Sequence, residues 1–260
     1  MMPLRYTRHD ARRWAAFSGD YNPVHFDKAW VKAQGGSALS VHGMRALLDV
    51  KHFISPQSAG TPYLKFTARL RRPLWRDADY ILWRAGKKNA AATVTAAADE
   101  LPCLACQLVP ASKLTLPATE SQHVLESDEL ATLQALFASL LADARRWHFL
   151  DALLFRHLIQ DTTLLRQQSI AALLPPCATP GALFQRYPVV QTHQELLFDS
   201  RLLAPWQPDA SPQALTIDTL TALTVGDLQQ GMIVRIAAAT RWQNLPIGSA
   251  ITLKVGPVAA

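Results

Sequence analysis

Three cysteines in 260 residues are too few for a disulfide framework. Two of them, Cys103 and Cys106, form a lone CxxC within LPCLACQLV. That stretch has strand character, so residues three apart point to opposite faces, and no second cysteine pair completes a zinc site. Metal and redox chemistry are therefore not expected, nor is a cofactor. Runs of about 18 apolar residues are also missing, and no membrane association is expected. The opening MMPLRYTRHDARRW has positive charge with no apolar segment behind it. It does not read as a secretory signal, and a cytoplasmic location is the expectation. A nucleic-acid partner is not expected either: there is no helix-turn-helix, no glycine-rich RNA-binding signature and no zinc element.

What the chain does have is apolar mass and uneven charge. About half of it (49%) is hydrophobic, enough for one large core or two smaller ones. The net charge of +6 is concentrated at one end. Residues 1–110 carry 16 Lys and Arg against 8 Asp and Glu, a net of +8, whereas 111–260 carry 10 against 12, a net of −2. The first part thus suits an anionic partner.

The first 110 residues read as helices followed by strands. Asp10 is placed to cap a short helix bearing Trp14 and Phe17, which Gly19 can end. Asn22-Pro23 forces an extended turn, and Asp27 can cap a second helix that stops at Gly35-Gly36. A third helix is predicted from His42-Gly43 to Ile54, with Met44, Leu47, Leu48 and Ile54 spaced for burial. Strand character follows at 63–70, 78–85, 91–98 and 101–109, making an α+β unit. The polar stretch 111–124 reads as a linker. Beyond it, 127–143 and 149–174 read as helices, the latter ending at Pro175-Pro176, and 189–198, 215–225, 232–240 and 250–255 as strands. Helix-then-strands therefore occurs twice, over 1–110 and 125–260.

One segment concentrates chemistry: Phe17-Ser-Gly-Asp-Tyr-Asn-Pro-Val-His25, followed after Gly35-Gly36 by Val41-His-Gly-Met44. Asp20 and His25 are separated by a proline turn. A carboxylate and an imidazole brought together on such a loop can hold a water and move its protons. Gly43 opens a predicted helix, where an unpaired N–H and the positive end of the helix dipole can bind a developing oxyanion. Acid/base groups beside an oxyanion donor are what enolate chemistry next to a thioester carbonyl requires. Taken alone, Asp and Asn in a turn more often make local hydrogen bonds, and a lone histidine is more often structural.

The segment resembles the MaoC-like family of (R)-specific enoyl-CoA hydratases and 3-hydroxyacyl dehydratases, whose signature is Ser-Gly-Asp-x-Asn-Pro-hydrophobic-His followed by Val/Ile-His-Gly-Met. Through Phe66, Pro73 and Asp77 the resemblance extends loosely over about residues 8–110. It implies a hotdog fold, an antiparallel sheet wrapped around a long helix at Gly43–Ile54. It implies catalytic roles for Asp20 and His25, with Asn22 as their signature neighbour and Gly43 as the thioester oxyanion donor, and it calls for no metal or redox cofactor. The substrate would be an acyl thioester on an acyl carrier protein or coenzyme A, in fatty-acid or polyketide-type metabolism. His42, Met44, Lys51, Arg71, Arg72 and Arg76 are further candidates for substrate binding. Where some relatives carry a small polar residue, Lys51 would add charge if it faced the pocket; otherwise it would reach outward to solvent. The stretch Pro73-Leu-Trp-Arg-Asp77 departs from the family's usual Gly-Asp.

Residues 125–260 hold no second Asp-x-Asn-Pro-x-His; Asp199, Asp218, His148, His157 and His193 are scattered. Hotdog units normally pair, so the second part fits a degenerate hotdog packed on the first as a pseudo-dimer. An unrelated helical domain and a homodimer are the alternatives. Arg69, Arg71, Arg72, Arg76, Arg84, Lys87 and Lys88 suggest one basic patch for a carrier protein or coenzyme A phosphates. A non-catalytic acyl-thioester-binding subunit and a hotdog thioesterase are the competing functions.

Overall fold

Local signals set the first turns of the chain. After the edge strand β1 (Met2–Arg5), Thr7 caps helix α1 (Arg8–Ser18) and exchanges hydrogen bonds with Asp10, its capping-box partner three residues on. Asp10 thus supports the cap without being it, because Thr7 holds the extended backbone that precedes a helix. Gly19 (φ 77°) closes α1 in the left-handed conformation. Asp27 caps α2 (Lys28–Ala33), and α3 (Gly43–Ile54) occupies the span the sequence predicts. Strands β2 (Tyr63–Leu70), β3 (Asp79–Ala85), β4 (Ala90–Ala96) and β5 (Pro102–Ala111) follow.

The second part repeats this order: β6 (Thr119–Leu125), α4 (Ser127–Ala138), α5 (Arg146–Gln160), the short α6 (Gln168–Ala171) and α7 (Pro180–Arg186). It ends with β7 (Val189–Asp199), β8 (Leu215–Asp227), β9 (Gly231–Trp242) and β10 (Leu245–Val255). The computed structural model from which these elements are read describes residues 1–85, 90–174, 177–227 and 229–256. Lys87, Lys88 and the Pro175-Pro176 helix stop lie outside the described residues.

Ten antiparallel strands make one sheet, in the order β1-β3-β4-β5-β2-β7-β10-β9-β8-β6. Followed inward from either edge the pattern is the same: first, third, fourth, fifth, second strand of each half. The halves join where β2 pairs with β7, Tyr63 opposite Asp199 through Arg69 opposite His193. This join buries an edge that each five-stranded sheet would otherwise expose. Helices α3 and α5 pack against their own half's strands and against each other. The main apolar core runs through both halves: Phe66 meets Trp147 at 5.9 Å, and Trp147 stacks on Phe198 at 4.7 Å. The chain is a double hotdog of class α+β, and the second half keeps the architecture without the Asp-x-Asn-Pro-x-His motif. No helix among the described residues is long and apolar enough to cross a membrane.

Three sequence expectations change. The 111–124 stretch is no plain linker, since 119–125 forms β6; an exposed edge strand bonded on one side needs no apolar face, so its polar sequence hid it. The helix expected over 149–174 starts earlier, at Arg146, and breaks at Asp161, whose carboxylate accepts from the Thr163 N–H and hydroxyl and turns the chain. The helix expected over 127–143 stops at Ala138, where the Ser139 hydroxyl bonds back to the Leu136 carbonyl.

Candidate active site at the junction of the halves

Residues 19–42 form an overhang between α1 and α3, and sequence-local bonds shape it. The Asp20 N–H donates to the Ser18 hydroxyl (3.1 Å), the Asn22 N–H to Asp20 Oδ1 (3.3 Å), and the Val24 N–H to Asn22 Oδ1 (3.2 Å). These turns point the Asp20 carboxylate and the His25 ring at one spot, Oδ2 to Nε2 3.9 Å. Both residues are buried. Asn22 contributes mainly by closing the turn with its side-chain oxygen. The overhang is tied down by short pairings with the segment after β2: Val41 N–H to Leu74 O (2.7 Å) and Arg76 N–H to Leu39 O (2.9 Å).

The protonation logic follows from the partners. His25 Nδ1 lies 3.0 Å from the Ser40 carbonyl and 3.1 Å from the Ser40 hydroxyl. The carbonyl can only accept and the hydroxyl can accept as well, so a proton on Nδ1 suits both and leaves Nε2 as an acceptor facing Asp20. Burial raises the Asp20 pKa, opposed by His25 and the Asn22 N–H, and burial lowers that of His25, opposed by Asp20. The two proton affinities are thus moved toward each other, which eases proton exchange between the groups.

Under His25 lies His42, stacked at 3.7 Å. Its Nε2 sits 3.0 Å from the Asp20 carbonyl and so donates to it, and burial pushes its pKa well below the ordinary value. His42 therefore braces both groups from behind; at 1% exposure it is not a cavity-lining contact for substrate. Asp20, His25 and His42 lie close enough to suggest a cation site. His25 Nδ1 and His42 Nε2 are each engaged by a backbone carbonyl, which leaves one ring nitrogen of each histidine uncommitted.

In front of the pair is a cavity of about 340 Å³. Its polar end holds Asp20, Asn22, His25, Ser40 and Gly43; its walls are apolar, with Met44, Leu70 and Leu74 from the first half and Phe155, Phe184 and Leu253 from the second. Gly43 begins α3, no side chain caps that end, and its N–H has no acceptor among the described residues. A Cβ there would lie 2.7 Å from Leu70 Cδ2, so a larger residue would have to push that side-chain end aside.

The remaining candidates separate. Arg71 and Arg72 stand on the cavity wall, Arg71 exposed and Arg72 bound to Asp99 at 2.7 Å. Arg76 turns inward and donates to the His25 carbonyl (3.1 Å), holding the overhang, and Arg84 donates to the Phe53 carbonyl (2.9 Å). Arg76 and Arg84 are thereby tied to backbone carbonyls, while Arg69 and Arg71 line one groove and Arg71 and Arg72 the wall of the cavity. Lys51 faces neither the cavity nor solvent. It is fully buried and paired with Asp151 of α5, whose other oxygen accepts from Gln194 (2.7 Å) and Ser249 (3.0 Å). Cys103 and Cys106 are free and buried; burial pushes the Cys106 thiol up to about 12, leaving little thiolate for redox chemistry.

Sequence reasoning missed Ser40, because a lone serine before Val-His-Gly-Met carries no signal of its own. It also missed every cavity residue of the second half, whose approach depends on the β2–β7 join.

Fold and site together define a double-hotdog protein in which the buried Asp20/His25 pair opens on a largely apolar cavity. No family model matches the chain, and no curated protein matches it. Among solved structures it is similar to a MaoC-like dehydratase, at 11% identity, with 98% of this chain and 96% of that one covered and a TM-score of 0.49. It is also similar to a putative MaoC domain protein dehydratase from Chloroflexus aurantiacus J-10-fl (9%, 100% and 94%, TM-score 0.49). A third likeness is to an acyl-CoA thioesterase II from Mycobacterium marinum (10%, 85% and 93%, TM-score 0.38). At such identities these are likenesses of fold.

Proposed function

We propose that this protein is a hydro-lyase that interconverts (R)-3-hydroxyacyl and trans-2-enoyl thioesters carried on acyl carrier protein or coenzyme A. The observation that carries this reading is the convergence of the buried Asp20 and His25, 3.9 Å apart, on a cavity that also receives the free N–H end of α3 at Gly43. With the thioester carbonyl at Gly43, Cβ and Cα of an enoyl group face the pair. In hydration, His25 Nε2 takes a proton from water as its oxygen bonds to Cβ. The π electrons move onto the thioester oxygen, and the Gly43 N–H and the α3 dipole stabilise that enolate. The proton on His25 passes to the Asp20 carboxylate, which delivers it to Cα as the carbonyl re-forms, and both groups are left as they began. Dehydration runs the same path backward.

The apolar walls fit an acyl chain, and the Arg71 and Arg72 rim fits the phosphates of a carrier. Incubating the purified protein with crotonyl-CoA and with a crotonyl carrier protein, and following the enoyl absorbance, tests the reading. Loss of that absorbance with formation of (R)-3-hydroxybutyryl thioester is expected. No conversion of either ester, in either direction, would refute it.

A further inference from the structure

Strand β7 alternates inward and outward from Gln194, Leu196 and Phe198, all buried, and continuing that rhythm toward its start would turn Thr192 inward. The pairing with β10 slips at this point: Thr252 faces His193 but Leu253 faces Gln191, so Thr192 is an extra, bulged residue. A bulge re-aims the side chains beyond it, and here it turns Gln191 into the cavity. Gln191 is the one polar residue that the second half contributes to the lining of that cavity.

Its carboxamide reaches over the start of α3. Oε1 lies 3.4 Å from where a Gly43 Cβ would be, and Nε2 is 3.4 Å from Met44 Sδ. Oε1 is thus the atom turned toward Gly43, and Nε2 is held only by a thioether, a weak acceptor, so a half-turn of the carboxamide that gives up this one weak bond brings the amide N–H beside Gly43. We infer that Gln191 is a substrate-contacting residue whose amide N–H binds the thioester carbonyl beside the Gly43 N–H, so that the second half supplies one of two oxyanion donors. The inference rests on the acyl-thioester reading of the site. It gives the developing enolate oxygen two donors from two directions, as a delocalised charge in an apolar cavity requires. It also gives the degenerate half a chemical part in the reaction.

The test uses the full chain with Gln191→Met, which keeps shape and loses the donor, and Gln191→Glu, which replaces the donor by an acceptor. Each variant is assayed for crotonyl-CoA hydration. Each is also assayed for binding of butyryl-CoA and of its thioether analogue S-butyl-CoA, which lacks the carbonyl. Expected are a fall in kcat of about a hundredfold for Gln191→Met with a smaller change in KM, and a fall at least as large for Gln191→Glu. Butyryl-CoA should bind Gln191→Met severalfold more weakly than wild type, while S-butyl-CoA binds both alike. Wild-type turnover in Gln191→Met, or equal losses for the two ligands, would overturn the inference. Because the binding comparison needs no turnover, a wild-type protein that binds butyryl-CoA but converts neither crotonyl-CoA nor the crotonyl carrier protein would refute the hydro-lyase reading and still decide on Gln191. A wild-type protein that binds neither ligand and converts neither ester would overturn both.

Discussion

The two halves share a strand order and a central helix, and they differ in what stands at that helix's first turn. In the first half the 19–42 overhang lies between α1 and α3 and carries Asp20, Asn22 and His25; in the second, only residues 139–145 separate α4 from α5. The Gly43 N–H opens into a cavity, whereas the N–H of Arg146, the first residue of α5, is taken by the Ala204 carbonyl at 3.0 Å. Counting from the start of each helix, Trp147 stands where Met44 does, and it is fully buried against Phe66 and Phe198. The second half's added material lies instead before β7, where α7 brings Phe184 to the first half's cavity. The two halves thus differ: one keeps an open helix end beside Asp20 and His25, and the other fills its own helix end and walls its neighbour's cavity.

If the halves are interdependent in this way, the largest effect is expected where they are joined in the core. Replacing Lys51 by Met leaves Asp151 buried without its cation and should cost about 3–5 kcal/mol in denaturant unfolding. The pair replacement Lys51→Met with Asp151→Leu should recover part of the loss, because Gln194 and Ser249 then lose their acceptor. A single variant as stable as wild type would show that the halves do not depend on this contact.

Next in size is the chemistry. Asp20→Asn and His25→Ala should each lower turnover about a hundredfold or more, the usual scale for lost acid/base catalysis, and the double variant should be little worse than the worse single. Near-normal rates in either folded variant would put the activity outside this half.

A pH effect should involve both halves. Burial lowers the pKa of His25 and His42 in the first and of His148 and His157 in the second, from an ordinary 6.5. Below that value the unfolded chain binds protons that the folded chain refuses, so these groups make stability fall as pH drops and leave it intact above. Thermal unfolding should show a lower Tm at about pH 5.5 than at about pH 7.5, and an unchanged Tm would mean that these histidines are not held neutral.

The smallest effect concerns the rim. Neutralising Arg71 should raise the apparent KM for carrier-bound substrate severalfold at low salt and less at high salt, since exposed charges are screened within about 8–10 Å. Crotonyl-pantetheine should be handled as before; equal responses would make Arg71 ordinary surface.

Much of this was legible in the sequence. The span of α3 follows from Gly43, the apolar spacing after it and Pro56, and most strands follow from their alternation. The Asp20–His25 loop stood out through its resemblance to the MaoC-like signature, since its residues alone read equally as turn-formers, which Asp20 and Asn22 also are. What stayed hidden depends on distant pairing: β6 as a polar edge strand, Lys51 turned onto α5, and Gln191 aimed by a bulge whose partner strand lies some sixty residues further on. A charge run such as Arg69–Arg84 says nothing of direction until the backbone between the strands is known.

The Lys51–Asp151 pair also bears on which surfaces can recognise each other. Counting along the two central helices, Asp151 occupies the place of Leu48, and Leu154 that of Lys51. Two copies of the first half meeting in the same way would each set a buried ammonium against the other's Leu48, an arrangement with no counter-ion. The contact thereby discriminates: it accepts the chain's own second half and rejects self-association of the first. Covalent linkage keeps the proper mate at hand, and the mismatched lysine keeps an improper one away.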